Sequence, residues 1–147
     1  MQSIMSSIDI KASPEKVYRA ITTTEGEKSW WTTDCEVGKK VGDSAVFRFN
    51  PMEGKSGVVE MRFRIDRLDP NALVRWTCTG HENNSEWQDT EITFLLAANG
   101  DGTRVGFAHT GWQSRSKSYE MCVGGWSHFL SSLKAYVETG KGTPHER

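Results

Sequence analysis

The side chains of this chain best suited to metal binding, nucleophilic attack or proton transfer are four histidines and three cysteines. The histidines are His81, His109, His128 and His145, and no two of them stand at HxxxH or HExxH spacing. Cys35, Cys78 and Cys122 include no CxxC, so no metal site is expected. Phosphate-cradling loops are missing as well: there is neither a P-loop nor a GxGxxG string. Gly100 and Gly102 belong instead to Asn99-Gly100-Asp101-Gly102, a hairpin turn. The GxSxG elbow of serine hydrolases is absent, and Ser127 falls inside a helical pattern where no strained turn would expose it. Asp66 and Asp69 flank a turn and make a poor acid/base pair. The motifs therefore define no catalytic residues and call for no cofactor.

Among polar groups His109 has the best placement. It alternates in phase with the apolar Val105 and Phe107 and so points inward, where it could orient a ligand hydroxyl or shuttle a proton. The competing reading is a core histidine whose ring is satisfied by neighbouring groups. Gly124-Gly125 is unusual within a helix, because each Gly costs about 1 kcal/mol relative to Ala there. Gly125 either leaves room for a ligand or lets helix and sheet approach closely. Met121, Cys122 and Trp126 beside it would supply an adaptable wall. Trp30-Trp31 either gates a pocket mouth or plugs one end of the core.

Hydrophobic periodicity supplies the elements that hold these residues. Ile4, Ile8 and Ile10 alternate with polar neighbours, which predicts a half-buried strand over residues 3–11. Ser13-Pro14-Glu15 is a helix start, with Ser at the N-cap and Pro at the first helical position. A second short helix ends at Trp30-Trp31. Ala45, Phe47 and Phe49 share one strand face. Val59, Met61, Phe63 and Ile65 share another, and Val74, Trp76 and Cys78 a third. Ile92, Phe94 and Leu96 give the next strand, and Val105, Phe107 and His109 the last. Residues 51–54 and 81–87 read as loops. A one-residue slip would expose Met61, Phe63 and Trp76 together, so the register is expected to hold them on the core side and Arg48, Arg62, Arg64 and Arg75 in solvent. From Tyr119 the period changes to steps of three and four through Cys122, Trp126, Phe129, Leu130, Leu133 and Val137. This is one long amphipathic helix stopped at Gly140, with a frayed tail over 141–147.

At 147 residues the chain suits one domain, spanning 1–147, and a second core would leave both undersized. A net charge of −1 argues against nucleic acid or anionic lipid as a partner. The N-terminus alternates instead of forming an apolar run, and the longest such run is Phe94–Ala98, so neither a secretory leader nor a membrane span is expected. Three scattered cysteines fit reduced, buried thiols and a cytoplasmic location.

Five words stand in order along the chain: Ile8 to Ala20, Trp30-Trp31, His109-Thr110-Gly111-Trp112, Gly125 to Lys134 and Gly140 to Pro144. With the order of strand, two short helices, curved antiparallel sheet and long C-terminal helix, they resemble the START/birch-pollen-allergen-like superfamily, SRPBCC. Within it the chain is similar to the family of the activator of the heat-shock-protein ATPase. The resemblance implies an α+β helix-grip fold, a sheet of six to seven strands around the C-terminal helix, and a cavity between them. The expected function is to hold a small apolar or aromatic molecule there, as a carrier or sensor. A chaperone-regulating module and a cyclase- or dehydratase-like enzyme using His109 are the alternatives. The ligand contacts would come from Trp31, from Phe47 and Phe49, and from Met61 and Phe63. Trp76, Phe94 and His109 on the later strands, and Met121, Gly125, Trp126 and Phe129 on the helix, complete the set. The sequence leaves the oligomeric state open.

Overall fold

A computed structural model describes residues 2–51, 54–81 and 85–147. Met52 and Glu53 of the first expected loop and residues 82–84 of the second lie outside the described residues. In chain order the elements are β1 (Gln2–Ile10), α1 (Pro14–Thr22), α2 (Thr24–Trp30), β2 (Asp34–Val37), β3 (Ser44–Phe49), β4 (Val59–Asp69) and β5 (Leu73–His81). A short 3-10 turn, Ser85–Trp87, precedes β6 (Glu91–Asn99), β7 (Gly102–Trp112) and α3 (Lys117–Thr139).

The seven strands form one antiparallel sheet in the order β1-β7-β6-β5-β4-β3-β2. The two short helices carry the chain from one edge of the sheet to the other, and successive hairpins bring it back to β1. Register shifts at Arg62/Phe63 and between Ile65 and Arg67 bend the β4–β5 pair, the usual effect of an extra residue in one strand. The expected register holds. Met61, Phe63, Ile65, Val74, Trp76 and Cys78 are buried, while Arg62 and Arg64 are exposed. On the outer face Arg48 bridges Asp34, Glu36 and Glu60 at 2.6–3.0 Å, so the arginines are interleaved with acids.

Local chemistry explains the helix boundaries. Ser13 Oγ accepts from Lys16 N–H, Thr23 Oγ1 from Gly26 N–H and Ser116 Oγ from Tyr119 N–H, so each helix has a side-chain N-cap. Gly140, at φ 88°, closes α3 in the left-handed region that favours glycine. The backbone of α3 lies near β1, α1 and α2, and bulky side chains span the distance to the middle of the sheet. No helix among the described residues is long and apolar enough to cross a membrane.

Two sequence-based expectations need correction. The first is an omission: β2 was not anticipated. It has only four residues, too few for a periodic signal, and Thr24 Oγ1 holds Val37 through both its N–H and its carbonyl. The second concerns the tail, which is docked rather than frayed. Thr143 N–H donates to Ser132 Oγ at 2.7 Å, and His145 N–H donates to the Trp31 carbonyl at 2.8 Å. Thr33 N–H donates back to the His145 carbonyl at 2.9 Å, and Arg147 pairs with Asp34 at 3.0 Å. Backbone hydrogen bonding thus ties the tail beside β2, an interaction with no side-chain periodicity.

Gly142 makes this docking possible. A Cβ there would stand 2.5 Å from the Ser29 carbonyl and 2.9 Å from that of Ser132. Gly142→Ala is therefore expected to undock the tail and cost about 1–3 kcal/mol by overpacking. Chemical denaturation, with amide exchange at Thr33 and His145, measures it; an unchanged midpoint with full protection would contradict the docking role.

Candidate ligand-binding site

Most of the aromatic residues expected to line a cavity gather around Trp31. As the C-cap of α2 it enters the core, with ring centroids 4.2 Å from Phe47, 5.1 Å from Trp126 and 6.2 Å from Phe63. It stacks nearly parallel to Trp76, and Phe49 and Phe129 flank it at 6.0 and 6.5 Å. Phe94 joins through Trp76, and Met61 is buried on the same face. Trp30 is buried beside it, its Nε1–H donating to the Ala20 carbonyl at 3.0 Å. Both tryptophans are covered by other side chains, as a plug would be.

Met121 does not join this group. It precedes Trp126 by five residues, which turns it well around the helix, and it is 55% exposed. Gly125 lies between the two situations. It is half-buried, and a Cβ built on it meets nothing within 4 Å. Close approach of helix and sheet therefore does not explain it. Gly125 sits toward the end of the sheet at which β3, β5 and β7 stop and β4 and β6 begin. Phe129 touches Phe49 at that end, and the Trp87 indole N–H donates to Cys122 Sγ.

His109 is held at both ring nitrogens. Trp126 Nε1–H donates to His109 Nδ1 at 3.0 Å. With Nδ1 accepting, the neutral ring carries its proton on Nε2, which donates to Thr90 Oγ1 at 2.9 Å. The Thr90 hydroxyl donates in turn to the Trp87 carbonyl at 2.7 Å. Every proton in this chain has an acceptor, and it joins α3, β7 and the 3-10 turn. Burial pushes the His109 pKa down to about 3, so the ring stays neutral at physiological pH. The geometry is that of a satisfied core histidine. His81 is also lowered by burial, to about 4.

The cysteines are poor nucleophiles. Burial raises Cys35 and Cys122 to about 12 and Cys78 to about 11. No group of three His, Cys, Asp or Glu side chains able to hold a metal ion occurs among the described residues.

Sequence reasoning missed Glu27. It is fully buried in α2, with no hydrogen-bond partner for either carboxylate oxygen among the described residues. Desolvation holds its pKa well above the usual carboxylate range. The available signal was its spacing of three and four residues from Trp30 and Trp31, which places it on the inward side of α2. Thr90 was missed too, because it ends a polar loop that carries no periodicity.

These features define a helix-grip protein: an antiparallel sheet wrapped on a C-terminal helix, with an aromatic interior. The chain belongs to the family described as activator of Hsp90 ATPase homolog 1-like protein, whose profile matches residues 11–138. It is similar to the Aha1 dimer from Colwellia psychrerythraea, known from a solution structure, with 37% identity over 97% of this chain and 100% of that one, at a TM-score of 0.80. Two crystal structures share the fold. Protein CV1439 from Chromobacterium violaceum has 23% identity, 92% and 96% coverage and a TM-score of 0.79. Protein SSP2350 from Staphylococcus saprophyticus has 22% identity, 97% and 96% coverage and a TM-score of 0.75. No curated protein sequence matches the chain.

Two buried groups impose opposite pH dependences. His109 titrates lower in the folded state than the ordinary 6.5, so its contribution is complete above about 6.5 and declines as pH falls toward 3. Glu27 titrates higher when folded, so its contribution is complete below 4.5 and is lost as pH rises through the folded value. Between pH 7 and 4.5, wild type should lose about 2 kcal/mol more than His109→Gln by urea unfolding. Glu27→Gln should remove part of the decline on the alkaline side. Parallel pH profiles for all three proteins would show that neither group is buried as described. Trp126→Ala should cost about 3–5 kcal/mol near pH 7, since it leaves both a cavity and an unpaired His109 Nδ1.

Proposed function

We propose that this protein is a cytoplasmic carrier or sensor that holds a small apolar or aromatic molecule between the curved sheet and α3. The observation that carries the reading is Gly125, half-buried toward that end of the sheet with open space where its side chain would be. A helix tolerates Gly at its interior only at a cost in stability, and helix–sheet contact does not account for this one. Around the opening lie Phe49, Phe129 and Cys122, apolar groups suited to a ligand without charge. His109 is neutral and engaged at both nitrogens, so it is not a free base, which favours binding over reaction among the described residues.

Family membership supports a second reading, a chaperone-regulating interaction module, since the family is described by an activator of the Hsp90 ATPase. The 37% identical Aha1 of Colwellia psychrerythraea is a dimer, and we extend self-association to this chain.

Gly125→Leu tests the ligand reading against a matched control at Gly124, which is exposed and also faces open space. Both substitutions should raise helix stability by up to about 1 kcal/mol. Only Gly125→Leu should abolish binding of an apolar fluorescent probe, followed by quenching of tryptophan emission. Equal probe binding by both variants and wild type would overturn the proposed position. Native mass spectrometry of the protein purified from its own host should then reveal a co-purifying small molecule.

A further inference from the structure

The two edges of the sheet are treated differently. The β2 edge is closed by the C-terminal tail, through the Thr33–His145 backbone bond and the Arg147–Asp34 pair. Among the described residues the β1 edge has no such cover along its centre. Tyr119 Oη–H donates to the outward carbonyl of Ser3 at 2.9 Å, Lys134 Nζ to that of Asp9 at 2.5 Å, and Lys11 N–H to Glu138 at 2.8 Å. These three contacts show which residues of β1 turn their backbone polar groups away from β7: the odd-numbered ones. Between the two anchored carbonyls lie Met5 and Ser7. Met5 is 76% exposed, and Ser6 and Ser7 are exposed beside it.

Edge strands are normally protected by Lys, Pro, a central bulge or inward charge. Gln2–Ile10 carries none of these over its middle; its one register shift is at Gln2/Ser3 and its one charge, Asp9, is paired with Arg104. On α3 the positions between Tyr119 and Lys134 that turn toward this edge include Val123, Ser127 and Ser131, all exposed and small enough for another chain to approach.

From this we infer that the β1 edge is a self-association surface whose occupant is β1 of a second copy, paired antiparallel about a two-fold axis through Ser6. The inference rests on the self-association proposed above and names its surface. In this register Met5 stands opposite Ser7 of the second copy, so the outward N–H and C=O groups of both meet in hydrogen-bonded pairs. Ile4 stands opposite Ile8 of the second copy on the inner side. Ser3 and Asp9 oppose each other at the ends, where their carbonyls are already taken by α3. The strand is thus self-complementary over its uncovered part, as an isologous interface requires, and the two sheets become one of fourteen strands, twice the seven of a single chain.

Sedimentation equilibrium on the full chain, with two variants, tests this. Wild type is expected to be a dimer. Ser7→Pro removes an outward donor while leaving the bonds to β7, so it should keep the circular dichroism spectrum and raise the dimer dissociation constant at least about tenfold. Ser6→Cys places two thiols across the axis in a non-hydrogen-bonded pair, where Cα atoms lie about 4.5 Å apart, within disulfide range. It should form a covalent dimer on mild oxidation, whereas wild type, with Cys35 and Cys78 buried and Cys122 half-buried, should not. A monomeric wild type would sink the self-association reading itself. A dimeric wild type whose Ser7→Pro variant dimerises equally well, or whose Ser6→Cys variant fails to crosslink, would leave that reading standing and overturn the β1 edge as its surface.

Discussion

The hydrogen bond from Trp126 to His109 is the constraint on which the placement of α3 depends. The α3 backbone approaches β1, α1 and α2, and the gap to the central strands is filled by rings. Aromatic packing of this kind is strong but weakly directional, and a helix resting on it could slide or rotate at modest cost. A donor aimed at a single lone pair removes that freedom at mid-helix, between the contacts that Tyr119 makes at one end and Ser132 and Lys134 at the other. It works because burial keeps His109 neutral, so Nδ1 remains an acceptor. Protonation there would turn acceptor into donor and break the chain at its centre. The further links through Thr90 to the Trp87 carbonyl extend the constraint to the turn before β6. One imidazole thus fixes the helix, the last strand and a loop relative to each other.

Glu27 is the counterpoint. His109 is a buried titratable group with every bond made, whereas the buried Glu27 carboxyl has no bond among the described residues. Its cost is kept within bounds only by remaining protonated. Trp31 explains why it stays inside: four residues on, it must enter the core. Rotating α2 to release the carboxyl would withdraw Trp31 from Phe47, Trp76 and Trp126 together.

The strands were legible because one face of each is buried, so Met61, Phe63, Trp76, Phe94 and Phe107 announce themselves by alternation. The caps at Ser13 and Gly140 were legible because their chemistry is local. Elements held by backbone contacts alone were not: β2 has four residues, and the tail docks through main-chain groups of Thr33, Thr143 and His145. Alternation placed His109 inside but could not supply Trp126 and Thr90 as its partners, which are distant in sequence. That is why a satisfied core histidine and a ligand-facing one read alike. Helical spacing put Trp126 and Phe129 on the inward side of the helix, whereas Met121 was added to the wall for its adaptable side chain, and its angular position turns it to solvent.

The two halves of α3 are held unequally, and this bears on where a ligand could enter. From Leu130 onward the helix is pinned by Leu133 and Val137 in the core. Ser132 donates to the Trp30 carbonyl and Lys134 to that of Asp9, with the docked tail around them. Before Trp126 the helix offers Glu120, Met121, Val123 and Gly124 to solvent and contains both of its glycines. Local opening follows the regions with least burial and weakest intrinsic helicity. The Trp126–His109 bond lies at the boundary between these halves. It protects the aromatic core behind it, and the turn just before it, with Val123 and Gly124 exposed and Gly125 half-buried, is weakly buried and weak in intrinsic helicity. A ligand entering there would disturb one turn of α3 and a few loop contacts instead of the Trp31 cluster.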